Sequence, residues 1–156
     1  VVMKIANRNN GDAGVFMKPE GAVKVVVLNG SRQIDQVVAG AGNNGEAGWV
    51  TQKVLPENGL PKGIHQLHDA TNPAKNVHPQ SFGGQVLHVD QKHVYQFGPK
   101  GIVQHDRKIF DQALDGKEPV VGKCYEVSYS RGVGKVKGEL TQEEGAKLQA
   151  SKAMKI

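Results

Sequence analysis

Histidines, a lone cysteine and scattered carboxylates are the residues of this chain that could do chemistry, and their spacing argues against most of it. His65, His68, His78, His88, His93 and His105 raise the question of zinc, which is held by His, Cys or carboxylate in tetrahedral array. His65 and His68 could meet Asp69 on one turn, but no H-E-x-x-H occurs and Cys124 stands alone in a strand-like stretch. No metal site and no cofactor are expected. A nucleophile needs an adjacent base oriented by a third group. Ser128 and Cys124 alternate on one strand-like face, and no G-x-S-x-G elbow is present. The carboxylates fall among turns and helix ends, so no acid/base pair of the glycosidase kind can be named. The glycine-rich run Gly40 to Gly48 lacks the spacing of a phosphate cradle and leads into a strand-like segment, so it reads as a mobile connection. With no catalytic residue to nominate, the expectation is a protein that binds rather than an enzyme.

What remains is a basic surface with aromatics beside it. Lys123, Arg131, Lys135 and Lys137 flank the last hairpin against a single Glu126, while Lys92 and Lys100 bracket a strand carrying Tyr95 and Phe97. Bases stacked on Tyr95 or Phe97, with phosphates near Lys92, Lys100, Arg131 and Lys135, would be the single-strand mode of nucleic-acid binding. The candidate nucleic-acid-binding set is therefore Lys92, Tyr95, Phe97, Lys100, Arg131, Lys135 and Lys137. The competing account is plain: the aromatics fill a core and the lysines keep the protein soluble.

These residues must be positioned by short elements. Residues 22–28 (AVKVVVL) are a β-branched run, Asn29-Gly30 supplies two positive-φ positions for a tight turn, and residues 31–38 can return antiparallel. Ser31 could instead cap a short helix through Ala39, since Ile34, Val37 and Val38 also have helical spacing. Trp49 to Leu55 alternates like a strand, and breaker clusters at 56–63 and 71–81 suggest an irregular linker over 57–81. Beyond it, QVLHVD, HVYQF and residues 102–105 read as strands, Asp106 can cap a helix carrying Ile109, Phe110, Ala113 and Leu114, and residues 124–129 and 133–137 form a last hairpin.

The order β-β-β-α-β-β, in strands too short for a safe open sheet, predicts closure into a small barrel of the OB type, or an SH3-like barrel as the alternative. In an OB barrel the ligand lies over strands two and three, here residues 93–105. Thr141-Gln142-Glu143-Glu144 is a capping box that starts a C-terminal helix over 139–156. The fold expected is thus mainly β (α+β), with a β-rich region over 1–56, the linker, a barrel over 82–138 and that helix.

Composition sets the frame around this reading. In 156 residues, 38% hydrophobic and 22% charged content allows one real core, and 20 Gly with 7 Pro disfavour an all-helical bundle. Lys plus Arg number 20 against 15 Asp plus Glu, a net charge of +5 that permits a polyanionic partner without demonstrating one. A single cysteine makes no intrachain disulfide, no apolar run approaches the roughly 20 residues of a membrane span, and Val1 to Ile5 lacks a signal-peptide layout. Cytoplasmic location without membrane insertion is expected.

Several stretches taken together resemble a known family. They are Leu60 to Ile64 with Leu67-His68, Gly84 to Asp90 (GQVLHVD), His93 to Gln96 (HVYQ), Ile102 to Arg107 (IVQHDR), Gly122-Lys123, and Tyr129 to Val136 (YSRGVGKV). Over residues 60–137 they resemble the KfrB-type domain, found in proteins of broad-host-range conjugative plasmids and at the ends of some relaxases and plasmid primases. The resemblance implies a role in plasmid maintenance or transfer, through DNA, single-stranded DNA included, or through a conjugation or coupling protein. In the second case the chain would act as a fertility-inhibition or regulatory factor. It carries over no catalytic residues.

Overall fold

The computed structural model describes residues 21–154, with side chains through residue 148. Residues 1–20 of the β-rich N-terminal region and residues 155–156 of the C-terminal helix lie outside them. The described elements are β1 (Val23–Val27), β2 (Ser31–Val38), β3 (Gly48–Pro56), β4 (Gly63–Gln66), β5 (Gln80–Phe82), β6 (Val86–Val89), β7 (His93–Gly98), β8 (Gly101–Asp106), α1 (Arg107–Ala113), β9 (Cys124–Ser130), β10 (Val133–Leu140) and α2 (Gln142–Met154).

The protein is mainly β, in three small antiparallel sheets of order β3-β2-β1-β4, β6-β7-β8 and β10-β9-β5. The β-branched run forms β1 and pairs with β2 as a hairpin, so the helical alternative for residues 31–39 is excluded. Its turn takes a positive φ at Gly30 (+89°) but not at Asn29. Residues 57–81 contribute ordered pairing: β4 bonds to β1, β5 bonds to β9, and Thr71 bridges to Val103.

The closed barrel expected for 82–138 is not formed. The strand order is as expected, and the start of β6 does reach the segment leading into β9, through the bond from Val86 N–H to the Lys123 carbonyl (2.9 Å) and that from Gly122 N–H to the Val86 carbonyl (2.8 Å), with Gln85 bridging to Cys124. No ladder joins β8 to β10. Helix α1, capped by the Asp106 carboxylate accepting from Lys108 N–H at 2.9 Å, packs against both strands instead. Gly134 permits this approach, since a Cβ there would lie 2.6 Å from the Tyr129 ring and 3.1 Å from Ile109.

The middle sheet is covered on both faces, which is the second reason no closure is needed. Val86, Val94 and Val103 point toward β9, β10 and α1, in a cluster with Phe110, Tyr125, Val127 and Tyr129. The alternate residues Tyr95, Phe97 and Ile102, with Leu87, pack against Val25, Val27 and Ile34 of the N-terminal sheet and against Leu60 and Leu67. The N-terminal sheet therefore shares a core with the rest of the chain, burying its own β-branched face where a solitary small barrel would meet water.

At the C-terminal end the capping box forms as its residues suggest. Glu144 N–H donates to Thr141 Oγ1 (3.1 Å) and Thr141 N–H to Glu144 Oε1 (3.0 Å), which holds that carboxyl below its ordinary range. Helix α2 then docks through small residues: Gly145 lies against Gly83 and Cys124, and Leu148 against Gly83.

Candidate functional site

The expected binding residues divide between two sides of the molecule. Arg131, Lys135 and Lys137 sit together on the β9–β10 hairpin, all exposed. Lys135 pairs in register with Ser128, which in turn pairs with Ser81 on β5, so two hydroxyls 3.4 Å apart lie beside the lysine on the outer face. Lys137 is the extra residue of a bulge between Val136 and Gly138, which frees its backbone from the ladder. Lys123, by contrast, is tied to Glu139 at 2.9 Å, and Arg107 to Asp111 at 3.6 Å. No described ion pair involves Arg131, Lys135 or Lys137.

The conformation of Arg131 is itself informative. The Arg131-Gly132 turn holds both central residues at positive φ, 52° and 80°, the geometry that matches the twist of a hairpin and that Asn-Gly or Asp-Gly adopts most easily. Among the described residues the other non-glycine positions of positive φ are Asn44, Asn58 and Asp115, each followed by glycine. Arg131 lacks the short polar side chain that eases this conformation, so an arginine there costs stability that asparagine would not.

Tyr95 and Phe97 do not join this surface. They lie on the opposite face of the middle sheet from β9 and β10, half-buried against the N-terminal sheet, with Phe97 edge-on to His65 at 5.0 Å and Tyr95 between His88 and His93. Burial, and secondarily Asp90, push the Tyr95 phenol above its ordinary pKa. Lys92 lies in the β6–β7 turn and Lys100 in the β7–β8 turn, at opposite ends of β7.

A buried polar chain, which sequence reasoning missed, runs through the middle of the fold. The Gln96 amide donates to the carbonyls of Gly84 (2.8 Å) and Tyr125 (2.9 Å), so both its hydrogens are spent and its Oε1 must accept. It accepts from His105 Nε2 at 2.8 Å, and His105 Nδ1 therefore accepts the Tyr129 hydroxyl at 2.6 Å. The imidazole is thus a fixed neutral tautomer, 1% exposed, with its pKa lowered to about 3 by desolvation. The same burial, with Asp106 adding to it, raises the Tyr129 phenol. Every N–H and O–H of these three side chains is used and both imidazole nitrogens are engaged, which makes the network a device for registering β7, β8 and β9 rather than an open acid or base. Its signal was present in the quoted motifs, since Gln96 closes H-V-Y-Q and His105 is the histidine of I-V-Q-H-D-R.

Other chemistry finds little support among the described residues. No group of three or more His, Cys, Asp or Glu is placed to hold a metal. Cys124 is buried with its thiol pushed up by desolvation. An open pocket of about 230 Å³ is lined by Pro61, Gln85, Phe97, Cys124, Gln142 and Ala146, and it contains no activated nucleophile. No helix is long and apolar enough to cross a membrane.

Comparison with known proteins adds the family. Residues 81–138 match the KfrB domain model. The whole chain is similar to Protein TraB of Escherichia coli, 57% identical over 151 residues that cover 97% of this chain and 95% of that protein. The chain belongs to the TraB family and carries a KfrB domain. Both matches fit the plasmid and conjugation context implied by the motifs. The KfrB match begins at β5 and ends in β10, so it contains the buried Gln96–His105–Tyr129 chain, α1 and the basic hairpin. The TraB match extends across the N-terminal sheet that covers the KfrB domain's middle sheet.

Proposed function

We propose that this protein is a non-enzymatic binding module of a conjugative plasmid, acting in plasmid maintenance or DNA transfer by contacting DNA through the β9–β10 hairpin. The observation that carries this is Arg131, held at the tip in a left-handed conformation that asparagine would adopt at lower cost, beside Lys135 and Lys137 with no carboxylate paired to them among the described residues. Backbone strain of this sort is concentrated at sites of function. The contact is with phosphates rather than stacked bases, because Tyr95 and Phe97 are engaged against the N-terminal sheet. Ser128 and Ser81 add hydroxyl donors suited to phosphate oxygens. Lys92 and Lys100 lie on other loops and act at most as peripheral charges.

Fluorescence anisotropy with single- and double-stranded DNA across a salt series tests the reading. Affinity should fall steeply with salt, and Arg131→Ala and Lys135→Ala should each lower the slope by about one counterion while leaving the fold intact. Affinity indifferent to salt, or unchanged in both variants, would exclude this surface. The second reading, a fertility-inhibition or regulatory factor whose target is a conjugation or coupling protein, draws on exposed apolar residues: Val133 (71%) on the same hairpin, and Val54 (64%) and Ile64 (62%) on the N-terminal sheet. Salt-tolerant capture of a conjugation protein, lost on Val133→Lys, would favour it.

A further inference from the structure

Between the N-terminal sheet and the middle sheet lies a cluster of cationic and hydrogen-bonding side chains that neither the hairpin nor the buried polar chain uses. Arg32 on β2 is only 7% exposed. Its guanidinium donates to the Pro56 carbonyl, but its Nε is buried and meets no acceptor. No described carboxylate forms an ion pair with it. A buried charge without a counter-charge is costly, and a donor left unpaired adds to that cost.

The surroundings of Arg32 deepen the positive field instead of neutralising it. Lys53 on β3 stands in register with Ile34, on the same face as Arg32. Across the seam, the bulge at Leu87 sets His88 in register with Tyr95, so both point toward the N-terminal sheet. Burial is the main cause that holds the His88 imidazole below its ordinary range; Asp90 acts against it, and the charges of Arg32 and Lys53 add smaller contributions that oppose protonation. The carboxylate that acts on His88 and Tyr95 is Asp90, and its Oδ1 is already committed to the amides of Lys92 (2.8 Å) and His93 (2.7 Å), with His93 Nδ1 at 4.0 Å.

We infer that this seam is an anion site that takes a phosphate group, with Arg32 and Lys53 as its charges and His88 and Tyr95 as hydrogen-bonding partners from the facing sheet. A tetrahedral phosphate presents several acceptor oxygens at once, enough to meet donors arriving from four strands, which a carboxylate with two oxygens would not. Arg32 supplies the buried Nε that has no acceptor, while His88 is half-buried and Lys53 exposed, so the group of side chains runs from the core out to solvent. The site lies on the opposite face of the middle sheet from Arg131 and Lys135, so it is separate from the hairpin surface and does not rest on that reading.

The test is an NMR titration of the full chain with inorganic phosphate, ionic strength held constant with chloride. Saturable shifts are expected at Arg32 Nε–H, His88 and Tyr95, with proton uptake by His88 as the anion offsets its cationic neighbours. Lys53→Gln and Arg32→Gln should each weaken binding about tenfold, the worth of one charge-assisted hydrogen bond. Lys53 is exposed on β3, so its variant keeps the test decisive should the Arg32 change impair folding. A 5′-phosphorylated oligonucleotide compared with its unphosphorylated form separates the sources. A Lys53-dependent gain from the terminal phosphate makes a nucleic-acid end the ligand, whereas saturation by inorganic phosphate alone makes it a free anion. Linear, non-saturating shifts, shifts confined to the β9–β10 hairpin, or equal binding by Lys53→Gln would overturn the site.

Discussion

Acidification should destabilise this protein through His105 well before carboxylates titrate. In the folded state the imidazole is neutral, with its pKa lowered to about 3, whereas in the unfolded chain it returns to the ordinary 6.5. Above that ordinary value neither state binds the proton and the contribution to stability is complete. Below it the unfolded state takes up a proton that the folded state refuses, so stability falls by about 1.4 kcal/mol per pH unit until the folded value is reached. Between about pH 6.5 and pH 5 the loss from this one group is about 2 kcal/mol, a large share of the roughly 5–15 kcal/mol that holds a domain together. With a urea m-value of about 1.5 kcal/mol/M, the unfolding midpoint should drop by about 1.3 M over that interval. Urea melts followed by circular dichroism across the pH range would measure it. The control is His105→Gln, which keeps a donor for Gln96 and an acceptor for Tyr129 but does not titrate, and its midpoint should vary with pH less steeply by that amount. His88, also lowered by burial, contributes to both proteins and cancels in the difference. Equal pH slopes in the two proteins, or a His105 imidazole that titrates near 6.5 in NMR spectra of the folded chain, would refute the reasoning.

Other changes probe separate links of the same argument. Arg131→Asn should stabilise the protein, by up to about 1 kcal/mol, because asparagine tolerates the positive φ, while weakening DNA binding; a variant neutral on both counts would remove the functional reading of that turn. Gln96→Leu should cost about 3 kcal/mol or more in denaturant melts, since it orphans the His105 Nε2–H together with the carbonyls of Gly84 and Tyr125. Tyr95→Ala should lower stability through lost packing against the N-terminal sheet without altering the salt slope of DNA binding, and a selective loss of DNA affinity would return that ring to the binding surface. Gly145→Val should undock α2, because a Cβ at that position already falls 2.9 Å from Cys124 Sγ, and tryptic cleavage at Lys147 should accelerate while the sheets stay folded.

Much of the local architecture was legible before any coordinates. The β1–β2 hairpin, the Asp106 and Thr141 caps, the Arg131-Gly132 turn and the order of elements from β6 to β10 each rest on interactions within a few residues, and such interactions are written in residue type and spacing. The candidate site was legible only in part. Arg131, Lys135 and Lys137 share one hairpin, so neighbouring positions in the chain sufficed to group them. Tyr95 and Phe97 were assigned to the same surface because period-two alternation says that they share a face and is silent on what covers it.

Four features were decided by tertiary structure alone. Which face of the middle sheet meets solvent depends on residues some seventy positions upstream, where Val25 and Val27 need a partner for their own apolar side. Whether the barrel closes depends on α1 filling the space between β8 and β10. That His105 is a neutral, fully bonded core residue depends on Gln96 and Tyr129 arriving from other strands, and that Arg32 is buried with an unpaired nitrogen depends on a sheet packing over it. Residue type and spacing determined the local elements because their energies are short-ranged. Burial, desolvation and the pairing of distant polar groups belong to the assembled whole, since each requires surfaces far apart in the chain to exclude the same water.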